Sequence, residues 1–368
     1  MRIGILTSGG DAPGMNAAIR AVTLVALTHG HEPIGVRRGY RGLVAGDLEP
    51  LTMADVFEAL RRGGTLLQSA RCPDFHEPDV RQIARDVLTD HGVDGLIVIG
   101  GTGSLTGALH LSDPDEAPGW PVRVAGIPAS IDNDIALTSM SIGVDTAMNT
   151  IVEACDKIAD TASAHDRVFL IEVMGRDCGY LAMTSAVAAG ADMVLFPEAG
   201  RDENELVDAV VDAVRAVRDR GGVQRVMAVK AEGIELSNDE LKARVDQKLA
   251  AAPNSEADGE PLEIETRVTV LGHVVRGGRP SAFDRLLGSR LGHVAVRSLI
   301  DGDNRMMAAW QPLTDAAQVG QRSPHDPYCH LMPLDAVLEA TRQLLDGESA
   351  LAQWRTKVFD DLRDVFLL

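Results

Sequence analysis

The feature that most constrains the fold is an apolar strand that runs through a glycine turn into a helix, because this pattern occurs twice. It begins at Ile5 in "ILTSGGDAPGMNAAIR" and at Gly95 in "GLIVIGGTGSLTGALHL". Glycines let a ligand approach the backbone, and a helix N-terminus offers unpaired N–H groups to an anion. The two segments therefore indicate phosphate sites at strand ends, although the first alone is equally consistent with an ordinary βα turn.

The rest of the chain continues this alternation. Helical spacing of apolar residues predicts one helix that ends at Gly30 and another with Leu206, Val210, Val214 and Val217 on one stripe. Further strand candidates are "VRVAGIP", "RVFLIEVMG", "DMVLFPE", "RVMAVKAEG" and "RVTVLGHVVRGG". Several are apolar on both faces, as parallel strands covered by helices are. The prediction is an α/β fold with right-handed βαβ crossovers, and 368 residues allow two domains or one large doubly wound unit.

Two segments differ from this pattern. Ala250–Glu263 is polar and rich in Pro, Gly and acidic residues, which predicts a surface loop. From about Leu334 the apolar spacing is helical again. We expect a helical tail there, packed on a second domain or on a neighbouring subunit.

Composition excludes some classes of partner. A net charge of −19 argues against nucleic acid or an anionic membrane, although it permits small anionic substrates in a local pocket. The four cysteines form no CxxC pair, so we expect reduced thiols in a cytoplasmic protein rather than a zinc site or disulfides. Neither a signal peptide nor a transmembrane run is evident.

Nucleotide-binding motifs of other classes fit poorly. The chain contains no Gly-Lys pair, which excludes a Walker A lysine. The spacing Gly101-x-Gly103-x-x-x-Gly107 resembles some nicotinamide dinucleotide fingerprints, but no acidic residue at the end of a following strand is evident to hold a ribose. If a nucleotide binds, it does not bind as in P-loop enzymes.

Paired carboxylates follow another predicted strand. Asp132 and Asp134 lie in "GIPASIDNDIALTSMSIG", where one could accept a proton from a hydroxyl and the other could orient a partner or a metal shell. An Asx-rich turn is the structural alternative. Basic residues also flank strand ends or glycine turns, which suggests a phosphate clamp, although each alone is more often a solvated surface charge; they are Arg71, Arg167, Arg176, Arg267, His273 and Arg276.

With these residues in view, the chain resembles the 6-phosphofructokinases. The segments "LTSGGDAPGMNAAIR", "GGTLLQSAR", "PASIDNDI", "IEVMGR" and "RVTVLGHVVRGG" occur in the family's order and spacing, over roughly Met1 to Asp303. The resemblance implies two Rossmann-like three-layer domains with mostly parallel sheets and the active site in the cleft between them. The donor domain would comprise residues 1–142 plus about 274–303. The sugar-phosphate domain would comprise 143–273 plus about 304–368.

The resemblance also implies roles. The reaction would be the glycolytic transfer of the ATP γ-phosphoryl group to the C1 hydroxyl of fructose 6-phosphate, with Mg²⁺. Catalysis would rest on Asp132 as general base with Ser130, Arg176 and Arg71. The acceptor would contact Ser130, Ile131, Asp132, Arg167, Met174, Gly175, Arg176, Glu232, Arg267, His273 and Arg276. The donor would contact Gly10, Tyr40, Arg71, Cys72, Gly101, Thr102, Gly103, Ser104 and Gly107.

Donor choice and assembly follow from the same resemblance. Gly103 and Ala129 leave room for an adenine nucleotide, where pyrophosphate users tend to have Asp and Lys. Arg167 and Arg267 would reach across from a neighbouring subunit, so we expect at least a dimer, and a tetramer is usual. Pyrophosphate as donor and another acceptor, such as sedoheptulose 7-phosphate, remain alternatives.

Some positions depart from the family pattern. Thr102 stands where the family has its magnesium aspartate, so the metal ligand cannot be assigned. At the basic effector site of bacterial relatives Arg20 is kept, but Leu24 and Ala159 stand where Arg is expected, which makes nucleotide control doubtful. Loss of the metal carboxylate also suits a sugar-phosphate-binding regulatory paralogue with little turnover.

Overall fold

The computed structural model describes residues 1–165, 167–219, 225–251, 265–311 and 321–361. The chain forms two compact units. Unit 1 comprises Met1–Thr146 and Arg276–Leu344, and unit 2 comprises Ala147–Val275 and Leu345–Leu368. Among the described residues, no helix is both long and apolar enough to cross a membrane.

Unit 1 is built on a sheet whose described strands follow the order β11-β12-β10-β5-β4-β1-β2-β3. β2, β1, β4, β5 and β10 run parallel, whereas β3, β12 and β11 pair antiparallel to their neighbours. The strands are β1 (Arg2–Ser8), β2 (Glu32–Val36), β3 (Leu48–Pro50), β4 (Gly95–Gly100), β5 (Arg123–Pro128), β10 (Met306–Trp310), β11 (Gln321–Arg322) and β12 (Cys329–Pro333). The helices are α1 (Met15–Thr28), α2 (Gly39–Val44), α3 (Met53–Val56), α4 (Pro78–Asp90), α5 (Thr102–Leu111), α10 (Ala282–Asp301) and α11 (Leu334–Leu345).

Unit 2 contains a smaller parallel sheet with the order β7-β8-β6-β9. Its strands are β6 (Val168–Val173), β7 (Met193–Leu195), β8 (Val226–Ala231) and β9 (Thr266–Val270). Its helices are α6 (Val144–Ala164, which begins in unit 1), α7 (Tyr180–Ala188), α8 (Glu203–Asp219), α9 (Asn238–Ala250) and α12 (Ala350–Asp361). The predicted stripe of α8 packs into the core of this unit.

The sequence patterns locate the central elements well. β4 is buried along its whole length, as a strand covered on both faces must be. α1 ends in the predicted manner, since Gly30 has φ +75° and donates to the carbonyl of Leu27 while His31 donates to that of Ala26. These two bonds form a Schellman cap.

The C-terminal region differs from the expected domain division. Residues 304–344 were expected in the sugar-phosphate domain, but they belong to unit 1, because β10 pairs with β5 and β12 pairs with β10. The tail is helical as predicted, yet only α12 belongs to unit 2. Residues 252–263 of the predicted acidic loop lie outside the described residues.

Two buried arginines fix the C-terminal end of α5. Arg85 donates to the carbonyls of His110 and Leu111, and both Arg81 and Arg85 pair with Glu116. The hydrogen bonds from Arg81 and Arg85 lower the pKa of Glu116 from 4.5 to about 2. The carboxylate therefore anchors the helix whose N-terminus carries the second glycine turn.

We predict that Glu116→Gln lowers the free energy of unfolding at pH 7 by roughly 2 kcal/mol, because it leaves two guanidinium groups without a counter-charge. In the unchanged protein, this contribution is present above the ordinary pKa of 4.5 and is lost as the pH falls towards 2. Urea unfolding of both proteins at several pH values measures it. Equal stability at pH 7 would contradict the assignment.

Candidate functional site

Three loops meet at the carboxyl edge of the unit 1 sheet. β1, β4 and β5 are neighbours in parallel register, so that Ser8 lies beside Gly100 and Gly100 beside Pro128. The amide of Ala129 donates to the carbonyl of Gly100 at 3.0 Å. A Cβ added to Gly101 would lie 4.0 Å from the Cβ of Ser130. The N-terminus of α5 is therefore adjacent to residues 129–143, which contain Asp132 and Asp134 and which we call the carboxylate loop. Both lie at the edge where open α/β sheets bind ligands.

The first glycine turn lies against a predicted clamp residue. Gly9 has φ +83°, and a Cβ on Gly10 would lie 2.8 Å from Nη1 of Arg276. This Nη1 donates to the carbonyl of Asp11 at 3.3 Å. The structure thus places Arg276, which was expected to bind the acceptor phosphate, beside the turn of unit 1 that was expected to face the donor.

The loop that carries Arg71 is anchored by polar residues that the motif analysis did not single out. Buried Asn16 donates to the carbonyls of Arg62 and Gly63 and accepts from the amide of Leu66. Ser69 donates to the carbonyl of Gly9 at 2.6 Å. Arg71 itself is exposed. The sequence marks Asn16 only as a polar residue on the mostly apolar, buried face of α1.

The second glycine turn forms the start of α5. Thr102 is its first helical residue, after Gly101 as N-cap. Oγ1 of Thr102 is buried and has no hydrogen-bond partner among the described residues. A Cβ on Gly103 would meet no atom within 4 Å, so packing does not require glycine there. The space beside Gly103 is open to a ligand.

Four predicted donor residues have structural contacts of their own. Tyr40 is 4% exposed and donates to the carbonyl of Ser104 at 2.7 Å, and burial raises its pKa. A Cβ on Gly107 would lie 2.8 Å from the Tyr40 ring. Ser104 is buried, and Cys72 is half-buried against the core. Tyr40 thus packs against α5 at Ser104 and Gly107. The contact of these four residues with a donor stays a prediction.

The carboxylate loop, residues 129–143, is wound around Asn133. Asn133 is 1% exposed with φ +50°, donates to the carbonyl of Ser139 and accepts from the amide of Ser141. Ser130 donates its hydroxyl to Oδ1 of Asp134 at 2.6 Å, and Ile131 is fully buried. Asp132 lies between these anchors and is partly exposed. The two carboxylates therefore differ in environment, because Asp134 orients Ser130.

In unit 2, several predicted sugar contacts gather at the carboxyl edge of its sheet. Met174 and Gly175 follow β6, and Glu232 follows β8 and donates its amide to the carbonyl of Val173. Gly175 has φ +122°, where a Cβ would lie 2.6 Å from the carbonyl oxygen of Cys178. Arg176 is exposed after this turn, and His273 is exposed after β9.

Two predicted clamp residues lie at the opposite edge of the same sheet. Arg167 precedes β6, and Arg267 is the second residue of β9. Both pair with Glu265, and their hydrogen bonds and charges lower its pKa. β6 is six residues long, so about 20 Å separates its two ends. Arg167 and Arg267 therefore lie far from Gly175 of the same chain, and their place in a phosphate clamp stays a prediction.

No cluster of three or more His, Cys, Asp or Glu side chains that could hold a metal ion occurs in the described parts of the chain. A magnesium ion does not need such a cage, because it keeps several waters and uses one or two carboxylates plus substrate phosphates. Asp11, Asp132, Asp134 and the hydroxyl of Thr102 lie just after β1, β5 and β4 in unit 1. Carboxylates and a hydroxyl are the ligand types that suit an ion held mainly by a phosphorylated ligand.

The chain is similar to known proteins over most of its length. The family model described as Phosphofructokinase matches residues 2–299. The ATP-dependent 6-phosphofructokinase of Thermotoga neapolitana is 45% identical over 312 residues, which are 84% of this chain and 90% of that protein. That of Bacillus cytotoxicus is 46% identical over 301 residues, 82% of this chain and 86% of that protein.

A solved structure extends the likeness to the whole chain. Phosphofructokinase from Saccharomyces cerevisiae superposes with a TM-score of 0.80 at 29% identity, covering 100% of this chain and 48% of the yeast chain. The chain thus spans about half the length of that relative, and most of the length of the two bacterial ones. By sequence, fold and the arrangement of its loops, the chain belongs to the phosphofructokinase family.

Proposed function

We propose that the protein is an ATP-dependent 6-phosphofructokinase, which transfers the γ-phosphoryl group of ATP to the C1 hydroxyl of fructose 6-phosphate in glycolysis. The single observation that carries this proposal is the adjacency of the α5 N-terminus and the carboxylate loop, where Gly101 lies beside Ser130. In this proposal the amides at the start of α5 bind the donor phosphates near the loop that carries Asp132. The chain's similarity to the ATP-dependent 6-phosphofructokinases of Thermotoga neapolitana and Bacillus cytotoxicus supports the same reaction.

The chemistry divides among residues of unit 1. Asp132 accepts the proton of the attacking hydroxyl, and the amides at the start of α5 hold the phosphates of the donor. Arg71 stabilises negative charge on the transferring group, as phosphoryl transfer relies on positioning and electrostatics. Ser130, held by Asp134 at 2.6 Å, contacts the acceptor beside the base. Open space at Gly103 favours a nucleotide donor.

The acceptor is held by the sugar-binding residues of unit 2, with Arg176 as a second stabiliser of the phosphoryl charge. Met174, Gly175, Glu232 and His273 supply contacts to the sugar phosphate. The separation of Arg167 and Arg267 from this edge supports a site completed by those two residues of a neighbouring subunit. We therefore propose that the protein is a homo-oligomer, either a dimer or a tetramer. We also propose that it acts in the cytoplasm.

Magnesium, when bound with ATP, neutralises phosphate charge and aligns the γ-phosphoryl group. We propose that the hydroxyl of Thr102 would accept a hydrogen bond from a metal-bound water and that Asp11, Asp132 or Asp134 would supply the nearby negative charge. The buried, unpartnered Oγ1 of Thr102 supports this role. A neutral residue there leaves the ion more dependent on the donor phosphates than a carboxylate would.

We predict that Thr102→Asp lowers the Mg²⁺ concentration for half-maximal rate by about tenfold, because a carboxylate is a better magnesium ligand than a hydroxyl. Rates at saturating ATP and fructose 6-phosphate over a magnesium titration measure this. Thr102→Asn, which adds a similar volume without charge, is the matched control and should leave the requirement high. An unchanged requirement in the Asp variant would place the ion elsewhere.

A coupled assay tests the proposed function directly. Purified protein is given ATP or pyrophosphate with fructose 6-phosphate or sedoheptulose 7-phosphate, and we expect the highest kcat/KM for ATP with fructose 6-phosphate. A higher value with pyrophosphate or the heptulose would identify the alternative substrate. Binding of fructose 6-phosphate without transfer at saturating Mg-ATP would instead identify a regulatory paralogue, the reading that Thr102 motivates.

A further inference from the structure

The carboxylate loop is hydrogen-bonded to a C-terminal segment, residues 304–311 and 321–344, which we call the strap. The strap contains β10, β12 and α11 and follows the end of the family-model match at residue 299. The carbonyl of Trp310 accepts from the amide of Ser139 at 2.8 Å, and its amide donates to Oγ1 of Thr138 at 3.1 Å. Gln311 donates to the carbonyl of Leu137 at 2.9 Å.

A second contact comes from α11. The hydroxyl oxygen of Thr341 accepts from the amide of Ala136 at 3.0 Å. Thr341 is 1% exposed and Ala136 is 5% exposed, so this amide lies away from water. A buried amide that loses its acceptor costs more free energy than the hydrogen bond itself contributes. Thr341 therefore fixes the backbone four residues beyond Asp132.

The loop needs such support because its backbone is strained. Asn133 and Leu137 both have positive φ, at +50° and +60°. Left-handed conformations of residues other than glycine persist only where the surroundings enforce them. Asn133 is held by bonds inside the loop, whereas Leu137 is held by Gln311 of the strap.

The strap end at Trp310 is itself fixed. The Trp310 ring stacks on Tyr328 at 5.3 Å between centroids, and the guanidinium of Arg290 lies over both rings. Arg290 also pairs with Asp326 at 3.1 Å. These contacts join β10, the turn before β12 and α10 into one support for the loop.

We propose that the strap positions the catalytic loop and that Thr341 is a positioning residue, acting through Ala136 on the place of Asp132. This inference rests on the proposed function for its catalytic part. A base that is displaced by about 1 Å can lose about 10²-fold in rate, because proton transfer requires hydrogen-bond distance. Because Thr341 is only 1% exposed, we expect its effect to fall on kcat rather than on substrate binding.

The test compares Thr341→Val, which keeps the shape but loses the acceptor, with Thr341→Ser, which keeps the hydroxyl. We expect the Val variant to lower kcat by about tenfold or more with KM for ATP within about twofold, and the Ser variant to restore most of it. Val210→Ala, a fully buried position of α8 outside the strap, is the control for stability alone. It should lower Tm but leave kcat unchanged.

Hydrogen–deuterium exchange of the peptide around Ala136 gives a readout without turnover. Exchange should accelerate in Thr341→Val and stay slow in Thr341→Ser and Val210→Ala. Equal exchange in all variants would show that Thr341 does not stabilise the carboxylate loop. Faster exchange with unchanged kcat would overturn the positioning role. If exchange is faster in Thr341→Val but the unchanged protein transfers no phosphate, the hydrogen bond from Ala136 to Thr341 would be supported. The catalytic role and the proposed function would both be overturned.

Discussion

Asp132→Asn should lower kcat by about 10²–10⁴-fold, because an amide cannot accept the proton of the attacking hydroxyl. The variant keeps nearly the same shape, so the bonds of Asn133 and Ser130 in the carboxylate loop should persist. Binding of fructose 6-phosphate should change by less than about threefold, since the base acts mainly in the transition state. Single-turnover rates and calorimetric titration measure the two effects separately.

Asp134→Asn is the matched control for Asp132→Asn. It removes the same charge from the same loop, and its amide oxygen can still accept from Ser130, which now donates to Oδ1 of Asp134. We expect a loss of less than about tenfold. If Asp134→Asn proved the more damaging change, the base would be Asp134 and Asp132 would have the orienting role.

Mixing two inactive variants should restore activity if sites are shared between subunits. Asp132→Asn lacks the base, whereas the double variant Arg167→Ala and Arg267→Ala lacks the clamp that we assign to the neighbouring subunit's site. The two variants are dissociated, mixed in equal amounts and reassembled. Half of the chains then carry Asp132, and half of their neighbours carry both arginines. About a quarter of the sites are therefore complete, and about a quarter of wild-type activity should return. We expect this result because Arg167 and Arg267 lie at the amino ends of the unit 2 strands, whereas Gly175 follows the carboxyl end of β6.

Arg176→Ala gives a second test of shared sites in the mixing experiment. Arg176 is placed in the same subunit's site as the unit 2 sugar contacts, so its mixture with the double variant should also recover activity. A mixture of the Arg167 single variant with the Arg267 single variant should recover little, because one neighbour must supply both. Activity that stays at background in every mixture would mean that each chain completes its own site.

The central fold was predictable because its signals are local. Strands such as β4 are short apolar runs bounded by glycine, and α1 ends at a glycine whose positive φ closes a Schellman cap. β10, with the sequence MMAAW, was not predicted, because Met and Ala favour helices and nothing local marks it as a strand. Its place is fixed by pairing with β5, a contact distant in sequence. The domain boundary was misplaced for the same reason.

The sequence by itself determined the chemistry of this protein: two glycine turns, the carboxylate loop and the basic residues, in the order of one family. Only the tertiary structure decided where these groups lie. It set Arg167 and Arg267 at the sheet edge opposite Gly175, put Arg276 against Gly10, and held Ala136 on Thr341. A motif records residue types and local spacing, whereas parallel pairing and buried hydrogen bonds between distant segments decide which of those residues share an edge.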